Sequence, residues 1–316
     1  YWETRKRDRE ERKPNSRMAP EIQVFLNRWK DSRRFASGFE KLSQECSDLL
    51  NIEKELLPLD FRKLVEIDYF NLIDRKIISD LIRVVVKGTV TSPDVSSWVR
   101  QRRHCYWYER YRNIYEAVDY ACRFKQQLSE SSLKTEKAED TINNYCQSWY
   151  KLDQLYRKFV FHVRKASQAT LLGELAEQIE NLYVNSYLLK ANDNWQQLLN
   201  NATRWPVGGV TSQAGFFDRW VKPFLKKDKK VCVIISDAFR YEIGQELLSL
   251  ICQEDRYTAE MDEALAMLPS YTQMGMAATL PHKELAIAEN DSGCVLVDGQ
   301  SSQGKANRDK ILEKAI

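Results

Sequence analysis

Apolar residues recur every three or four positions up to about Asn200, which is the spacing of one face of an α-helix. Glycine and proline are rare in this region. The pattern predicts helices over residues 20–30 and 60–86, and Pro93 begins another, because proline suits the first turn of a helix. The first part of the chain is therefore predicted to be a series of consecutive helices.

The most regular stretch has apolar and aromatic residues spaced alternately by three and four, as in a heptad repeat. They are Ile142, Tyr145, Trp149, Leu152, Tyr156, Phe159 and Val163. A second run with this spacing extends from Leu172 to Leu189. Because only a short break near Ser167 separates the two runs, they predict an antiparallel hairpin of two long helices. Such a seam is more often intramolecular core than a surface for a partner.

Beyond Asn200 the pattern changes to apolar strands that alternate with amphipathic helices. Residues 231–237 and 294–298 are continuous apolar runs that end in an acid, which is typical of strands buried on both faces of a parallel sheet. A further short strand is predicted at residues 256–261. Helices are predicted at residues 241–252, 272–280 and 307–315. This alternation favours a doubly wound α/β sheet.

The change of pattern predicts two domains. Residues 1–205 form a multi-helix region that contains the long hairpin, and residues 206–316 form part of a doubly wound α/β domain. The sequence opens at Tyr1 without an initiator methionine and ends at Ile316 within a helical pattern. We therefore expect further residues on both sides of it.

Composition excludes several classes of protein. A net charge of +3 is too small to indicate nucleic-acid binding by itself. The seven cysteines include no CxxC pair, which argues against a zinc finger or a disulfide framework and favours a reducing cytoplasm. The charged opening stretch is unlike a signal peptide, and no apolar run approaches the roughly 20 residues that a membrane span needs.

Two positions in the α/β part have the residue types that phosphoryl transfer needs. Asp237 follows a predicted strand, so it can ligate a metal at the sheet edge or cap the helix after it. Ser270 and Thr272 lie after Pro269 at the start of a short helix, where a hydroxyl can attack a bound phosphate or cap the helix. The loop of residues 297–304 can approach a phosphate or be a plain turn.

Arginines and aromatic residues alternate between Trp98 and Lys125. Arg100, Arg102 and Arg103 can contact phosphates while neighbouring aromatic residues stack on bases. The alternative is an amphipathic helix with its aromatic residues packed inward and its arginines paired with nearby acids. The pattern favours the amphipathic helix over nucleic-acid binding.

Three stretches, IISDAFRYEIGQELL, ALAMLPSYTQMGMAATLPHKEL and VLVDGQSSQGKANRDKIL, resemble the PglZ family, type A, of BREX phage-resistance systems. The resemblance covers about residues 216 to 315 and implies an alkaline-phosphatase-superfamily fold. It implies that Asp237 binds a divalent metal, usually zinc, and that Thr272 is the nucleophile and also touches the metal. Ser270 is the alternative candidate for the nucleophile. Attack by Thr272 would give a phosphothreonine intermediate that is then hydrolysed.

The resemblance leaves the metal site short of ligands. The superfamily uses several further Asp and His residues, whereas this chain has only His104, His162 and His282. His104 and His162 lie in helical patterns and are expected to be surface or packing residues; His282 follows Pro281 in a loop and is not assigned as a ligand. One Asp and one Thr cannot hold zinc tightly, so this chain alone is expected to be metal-poor and inactive.

The resemblance implies a metal-dependent phosphatase or phosphodiesterase in phage defence, with nucleic acid as one candidate substrate. The implied partners are other BREX components, including a DNA methyltransferase, with DNA as a further candidate and no membrane. The alternative is a non-catalytic scaffold that assembles the defence complex through its helical region.

Overall fold

The computed structural model describes residues 18–166, 169–202, 205, 209–289 and 292–315. The chain forms two compact units, each built from two stretches of sequence. One contains the residues up to Glu130 together with Leu155–Tyr183, and the other contains Ser131–Gln154 together with the residues from Val184 onward. The predicted domain limit at residues 205 and 206 is drawn from the sequence pattern, and these units do not test it.

The described part of the chain up to residue 202 is helical, as predicted. Its α-helices are α1 (Met18–Lys30), α2 (Ala36–Leu49), α3 (Ile52–Leu56), α4 (Asn71–Lys87), α5 (Ser92–Arg102), α6 (Tyr108–Glu130), α7 (Ala138–Asn144), α8 (Tyr150–Lys165), α9 (Gly173–Asn181) and α10 (Leu189–Asn200). The helix predicted over residues 60–86 begins only at Asn71, because Asp60 caps a separate short turn by accepting a hydrogen bond from the backbone N–H of Arg62.

The predicted helical hairpin is confirmed. The Tyr156 ring stacks on the Tyr183 ring at 3.6 Å, and Tyr187 Oη donates a hydrogen bond to Asp153 at 3.3 Å, so the two helical stretches run antiparallel. Each stretch contains a π-helical turn that the heptad pattern does not predict. These turns are Tyr145–Trp149 and Leu182–Leu188.

The sheet of the second unit differs from the prediction. It has three short antiparallel strands in the order β1 (Leu285–Ile287), β2 (Val295–Val297) and β3 (Gln300–Ser301). Asp298 and Gly299 join β2 to β3 with φ angles of 49° and 80°, as a type I′ hairpin turn requires. The backbone N–H groups of Glu284 and Lys283 donate to Asp298 and hold the pKa of its carboxyl below the ordinary value. The loop of residues 297–304 therefore begins with a structural turn.

Two predicted strands are wrong. Residues 231–236 are irregular and exposed, with Ile234 89% exposed, and residues 256–261 form no strand. A parallel strand needs hydrogen-bonded neighbours and covered faces. Among the described residues, residues 231–236 have neither a hydrogen-bonded neighbouring strand nor covered faces. The described residues therefore do not form the predicted doubly wound sheet. The strand predicted at residues 294–298 exists as β2, but its pairing is antiparallel.

The remaining helices are α11 (Lys222–Leu225), α12 (Tyr241–Ile251), α13 (Thr272–Ala278) and α14 (Lys305–Glu313), and a π-helical turn lies at Phe217–Val221. The helices α12, α13 and α14 match the three helices predicted after Asn200 to within a few residues. The helices α13 and α14 bury apolar side chains with β2. This cluster comprises Met274, Ala277, Leu280, Val295, Val297 and Ile311. None of the helices in the described residues is long and apolar enough to cross a membrane.

Shortening Met274 tests whether this cluster holds α13 in place. Met274 is 5% exposed, so Met274→Ala is expected to lower the free energy of unfolding by about 2–5 kcal/mol through lost burial and a cavity. Met276→Ala in the same helix, at a half-buried position, is the control and should cost about 1 kcal/mol or less. Urea unfolding measures both, and equal losses would contradict the cluster's role.

Candidate active site

The fold brings the two residues predicted for phosphoryl transfer together. Thr272 Oγ1 lies 3.4 Å from both Oδ1 and Oδ2 of Asp237, although 35 residues separate the two along the chain. Both side chains are exposed, so the pair is open to a ligand. The hydroxyl donates and the carboxylate accepts, at the long end of the hydrogen-bond range.

Asp237 is held by a tight turn. Its Oδ1 accepts a hydrogen bond from the backbone N–H of Ala238 at 3.0 Å, and Ala238 has a positive φ of 54°. The helix α12 begins at Tyr241 with Arg240 at its N-cap position. The alternative reading of Asp237 as the cap of this helix is therefore wrong, and its carboxylate is available to Thr272.

Thr272 is the first residue of α13. Tyr271 occupies the N-cap position without a side-chain capping bond, so the capping alternative for Ser270 and Thr272 is also wrong. Tyr271 Oη donates to Gly293 O at 3.1 Å and ties the start of the helix to the loop before β2. Ser270 is exposed, and the hydroxyl that reaches Asp237 is that of Thr272.

Gln213 supports this arrangement and is not among the residues predicted from the sequence. Its side-chain oxygen accepts from the backbone N–H of Met267 at 3.4 Å, and its side-chain nitrogen donates to Gly275 O at 3.4 Å. These two contacts lie on either side of the segment that carries Ser270 and Thr272. A Cβ on Gly275 would lie 3.3 Å from the same amide nitrogen, so glycine suits this close approach. No sequence signal marks Gln213, because its partners are backbone groups of a distant segment.

The described residues do not complete a zinc site. Asp237 and Thr272 offer two oxygen-bearing side chains, whereas zinc sites in proteins have three or four protein ligands. In the described ranges, no three residues of the types His, Cys, Asp and Glu are placed to hold a metal ion. Nδ1 of His282 pairs with Leu280 O at 2.7 Å, so its ring is oriented by the backbone beside α13.

The other two histidines have no part in this site. Nδ1 of His162 is 2.9 Å from Asn113 Oδ1, and the ring stacks on Tyr120, so it is a packing residue as predicted. Its burial lowers the pKa of the imidazole. His104 is exposed in the turn between α5 and α6 rather than in a helix.

The three arginines proposed for nucleic acid do not form one surface. Arg102 is completely buried and pairs with Asp74, with 2.6 Å between Nη2 and Oδ2, so it cannot reach a phosphate. Arg103 donates to Glu116 at 2.7 Å, and Arg100 is exposed. Most of the neighbouring aromatic residues are buried, namely Trp107, Tyr108, Tyr111 and Tyr115. The amphipathic-helix reading is therefore the one that the structure supports.

Comparison with known proteins relates the part of the chain that contains this site to alkaline phosphatase-like domains. Residues 216–316, which include both Asp237 and Thr272, match the model of a family described as the BREX system PglZ alkaline phosphatase-like domain. This match confirms the resemblance to the PglZ family that was found in the sequence.

Two curated relatives align with nearly the whole chain. The alkaline phosphatase-like protein BrxZ of Escherichia coli O9:H4 (strain HS) is 33% identical over 305 residues. The alkaline phosphatase-like protein PglZ of Bacillus cereus (strain H3081.97) is 27% identical over 295 residues. Each alignment covers 92% of this chain but only 35% and 34% of the relatives, so the chain spans about a third of their length. No solved structure matches it.

Proposed function

We propose that this chain is part of a BREX phage-defence protein whose PglZ domain hydrolyses phosphoric esters. The observation that carries the proposal is the hydrogen bond from Thr272 Oγ1 to the Asp237 carboxylate at 3.4 Å, within the family match. An exposed hydroxyl held beside an exposed carboxylate is the minimal arrangement for nucleophilic attack on phosphorus. The substrate we expect is a phosphodiester, of which nucleic acid is one candidate.

The proposed reaction has two displacements at phosphorus. In the first, a bond forms between Thr272 Oγ1 and phosphorus while the bond from phosphorus to the leaving alcohol breaks. The hydroxyl proton leaves along the hydrogen bond that Asp237 already accepts, and the leaving oxygen takes up a proton from solvent. In the second, water attacks phosphorus while the bond from phosphorus to Oγ1 breaks. Oγ1 takes back the proton that Asp237 accepted, and the attacking water gives a proton to solvent.

A divalent cation, with zinc as the first candidate, is proposed to bind beside these oxygens in the full-length protein. It would supply positive charge that favours ionisation of the hydroxyl and balances charge on the phosphoryl oxygens. Asp237 and Thr272 would contribute two of its ligands, and we propose that the others come from outside the described residues.

Metal binding by Asp237 can be tested apart from activity. Asp237→Asn in the full-length protein is expected to weaken zinc binding by roughly tenfold or more, because an anionic ligand becomes neutral. Titration calorimetry measures the affinity, and Asp255→Asn, at another exposed acid of the same unit, is the control. In parallel, bis(p-nitrophenyl) phosphate should be hydrolysed with zinc and not after chelation. Unchanged zinc affinity in Asp237→Asn would remove Asp237 as a ligand.

The second candidate function is a non-catalytic scaffold. It is favoured by the extent of the helical part and by the incomplete ligand set among the described residues. In that case the helices would bind other BREX components, among which we propose a DNA methyltransferase, in the cytoplasm. A full-length protein that hydrolyses no phosphoric ester with any divalent metal, yet still co-purifies with its partners, would favour the scaffold.

A further inference from the structure

A cavity of about 640 Å³ lies in the second unit, at the end of α13 that is opposite to Thr272. Leu280, Pro281 and His282, which follow this helix, form part of its wall. Neither Asp237 nor Thr272 is among its lining residues, so the cavity is separate from the candidate active site. Its volume lies within the range of about 300–1,000 Å³ that is typical of small-molecule sites.

Lysines from three separate parts of the sequence meet at this cavity. Lys222 begins α11 and Lys226 directly follows that helix, Lys283 precedes β1, and Lys314 follows α14. All four residues are exposed, so their ammonium groups are accessible to a ligand. The fold therefore places four positive charges around one concave surface, where they can act on the same ligand.

Two acids also line the cavity, and both already have partners. Lys222 Nζ donates to Asp218 Oδ1 at 2.7 Å, and this hydrogen bond lowers the pKa of the Asp218 carboxyl. Both side chains of this pair are more than half exposed, so the pair contributes little and Lys222 can exchange Asp218 for another anion. Asp298 accepts two backbone N–H groups within the β-hairpin. Within the described lining, four lysines therefore face two carboxylates.

The floor of the cavity is apolar and rigidly held. Phe217, Leu280, Val297 and Ile311 all line it and are all buried. The last three belong to the cluster that packs α13 and α14 against β2. The shape of the floor is therefore fixed by the folded core, whereas the lysines around it are long and flexible enough to adjust to a ligand.

We propose that this cavity binds a small ligand with adjoining phosphate groups, such as a nucleoside triphosphate. A lysine ammonium group binds phosphate as a point charge, so a ligand that carries several negative charges gains from each of the four lysines. A neutral ligand would gain nothing from them, and a single phosphate would gain less. The proposal does not depend on catalysis at Thr272, because the cavity and that residue lie at opposite ends of α13.

Inorganic triphosphate and orthophosphate, which differ in charge, are the first probes. Titration calorimetry on the full-length protein, after removal of metal ions, is expected to show triphosphate binding at least about tenfold more tightly than orthophosphate. ATP should bind at least as tightly as triphosphate. Added salt should weaken the binding of both, because the lysines are exposed and their charges are screened.

A double substitution tests whether these lysines hold the ligand. Lys226→Met with Lys283→Met should weaken triphosphate binding by roughly tenfold or more, because it removes two of the four charges and keeps side chains of similar length. Lys229→Met with Lys230→Met is the matched control, since it removes the same charge from exposed positions near Lys226 that do not line the cavity. Its triphosphate affinity should stay within about twofold of the unaltered protein.

Thr272→Ala separates this cavity from the candidate active site. It should bind triphosphate with unchanged affinity, and loss of binding in this variant would overturn the proposal by placing the ligand beside Asp237. Circular dichroism on each variant confirms that the helices are retained. Absence of triphosphate binding, or equal losses in the two folded lysine double variants, would overturn the proposal as well. A single strand of DNA that binds more tightly than ATP through the same lysines would replace the small ligand by nucleic acid.

Discussion

Replacing Arg102 with methionine is expected to lower the free energy of unfolding by about 3–5 kcal/mol. The side chains of Arg102 and Asp74 are both 0% exposed, and Nη2 lies 2.6 Å from Oδ2. Arg102 Nη1 also donates to the carbonyl oxygens of Val65 and Ile67, at 2.9 and 2.8 Å. Methionine would fill much of the same space but leave a buried carboxylate without its counter-ion and two carbonyl groups without their donor.

Arg100→Met is the matched control, because Arg100 lies two positions earlier on α5 and is exposed. Its effect on the free energy of unfolding should stay within about 0.5 kcal/mol. Urea denaturation of both variants measures the difference. A similar small loss in both would mean that the ion pair contributes little.

The double variant Asp74→Leu with Arg102→Met tests the reason for the loss. Removing both charges should restore part of the stability, since the cost of the single change is mostly the stranded carboxylate. Recovery should be incomplete, because Tyr115 Oη donates to Asp74 Oδ1 at 2.7 Å and would lose its acceptor. A double variant as unstable as the sum of the two singles would show instead that lost packing dominates.

The sequence contained a signal for the burial of Arg102 that the arginine-rich pattern obscured. Val95, Val99 and Arg102 follow one another at spacings of four and three, so Arg102 lies on the buried face of α5. Arg100 and Arg103 fall outside that stripe and are exposed. The number of arginines in this stretch predicts a charged surface. The position of each arginine on the helix instead distinguishes the buried Arg102 from the exposed Arg100 and Arg103.

Helices were predictable because their apolar spacing is local, whereas the sheet was not. The helices α12 and α13 begin at the predicted residues, Tyr241 and Thr272. Residues 231–236 have the composition of a buried strand, but a strand also needs neighbours, and no local pattern reports whether they are present. The antiparallel hairpin had a local signal, since Asp298 and Gly299 between apolar runs favour a type I′ turn.

The candidate site was predictable only in part, and for a similar reason. Asp237 and Thr272 stand out by their positions after a predicted strand and at a helix start, and the family resemblance implies their roles. Their separation of 3.4 Å is a tertiary contact that spacing along the chain cannot give. The positioning role of Gln213 depends on hydrogen bonds to backbone groups more than 50 residues away, at sequence separations of 54 and 62. Residues that act through backbone contacts have no motif of their own.

Replacing Thr272 with alanine is expected to lower the rate of phosphodiester hydrolysis by the full-length protein by roughly 10³-fold or more, as loss of a nucleophile does. Thr272→Ser keeps a hydroxyl and should retain measurable activity. Ser270→Ala is the matched control, because Ser270 is an exposed hydroxyl two residues away that does not reach Asp237. Its rate should stay within about threefold of the unaltered protein.

Detection of a covalent phosphoryl group on Thr272 distinguishes a nucleophile from a residue that only supports the structure. Acid quenching during turnover, followed by mass spectrometry, should find a phosphoryl group on residue 272 in the unaltered protein and in Thr272→Ser, and none in Thr272→Ala. If Thr272→Ala hydrolyses at the full rate, or if the phosphoryl group is found on Ser270, the nucleophile is misassigned. If Thr272→Ala is inactive but no phosphorylated residue is trapped, Asp237 and Thr272 would instead orient a water molecule for direct attack on phosphorus.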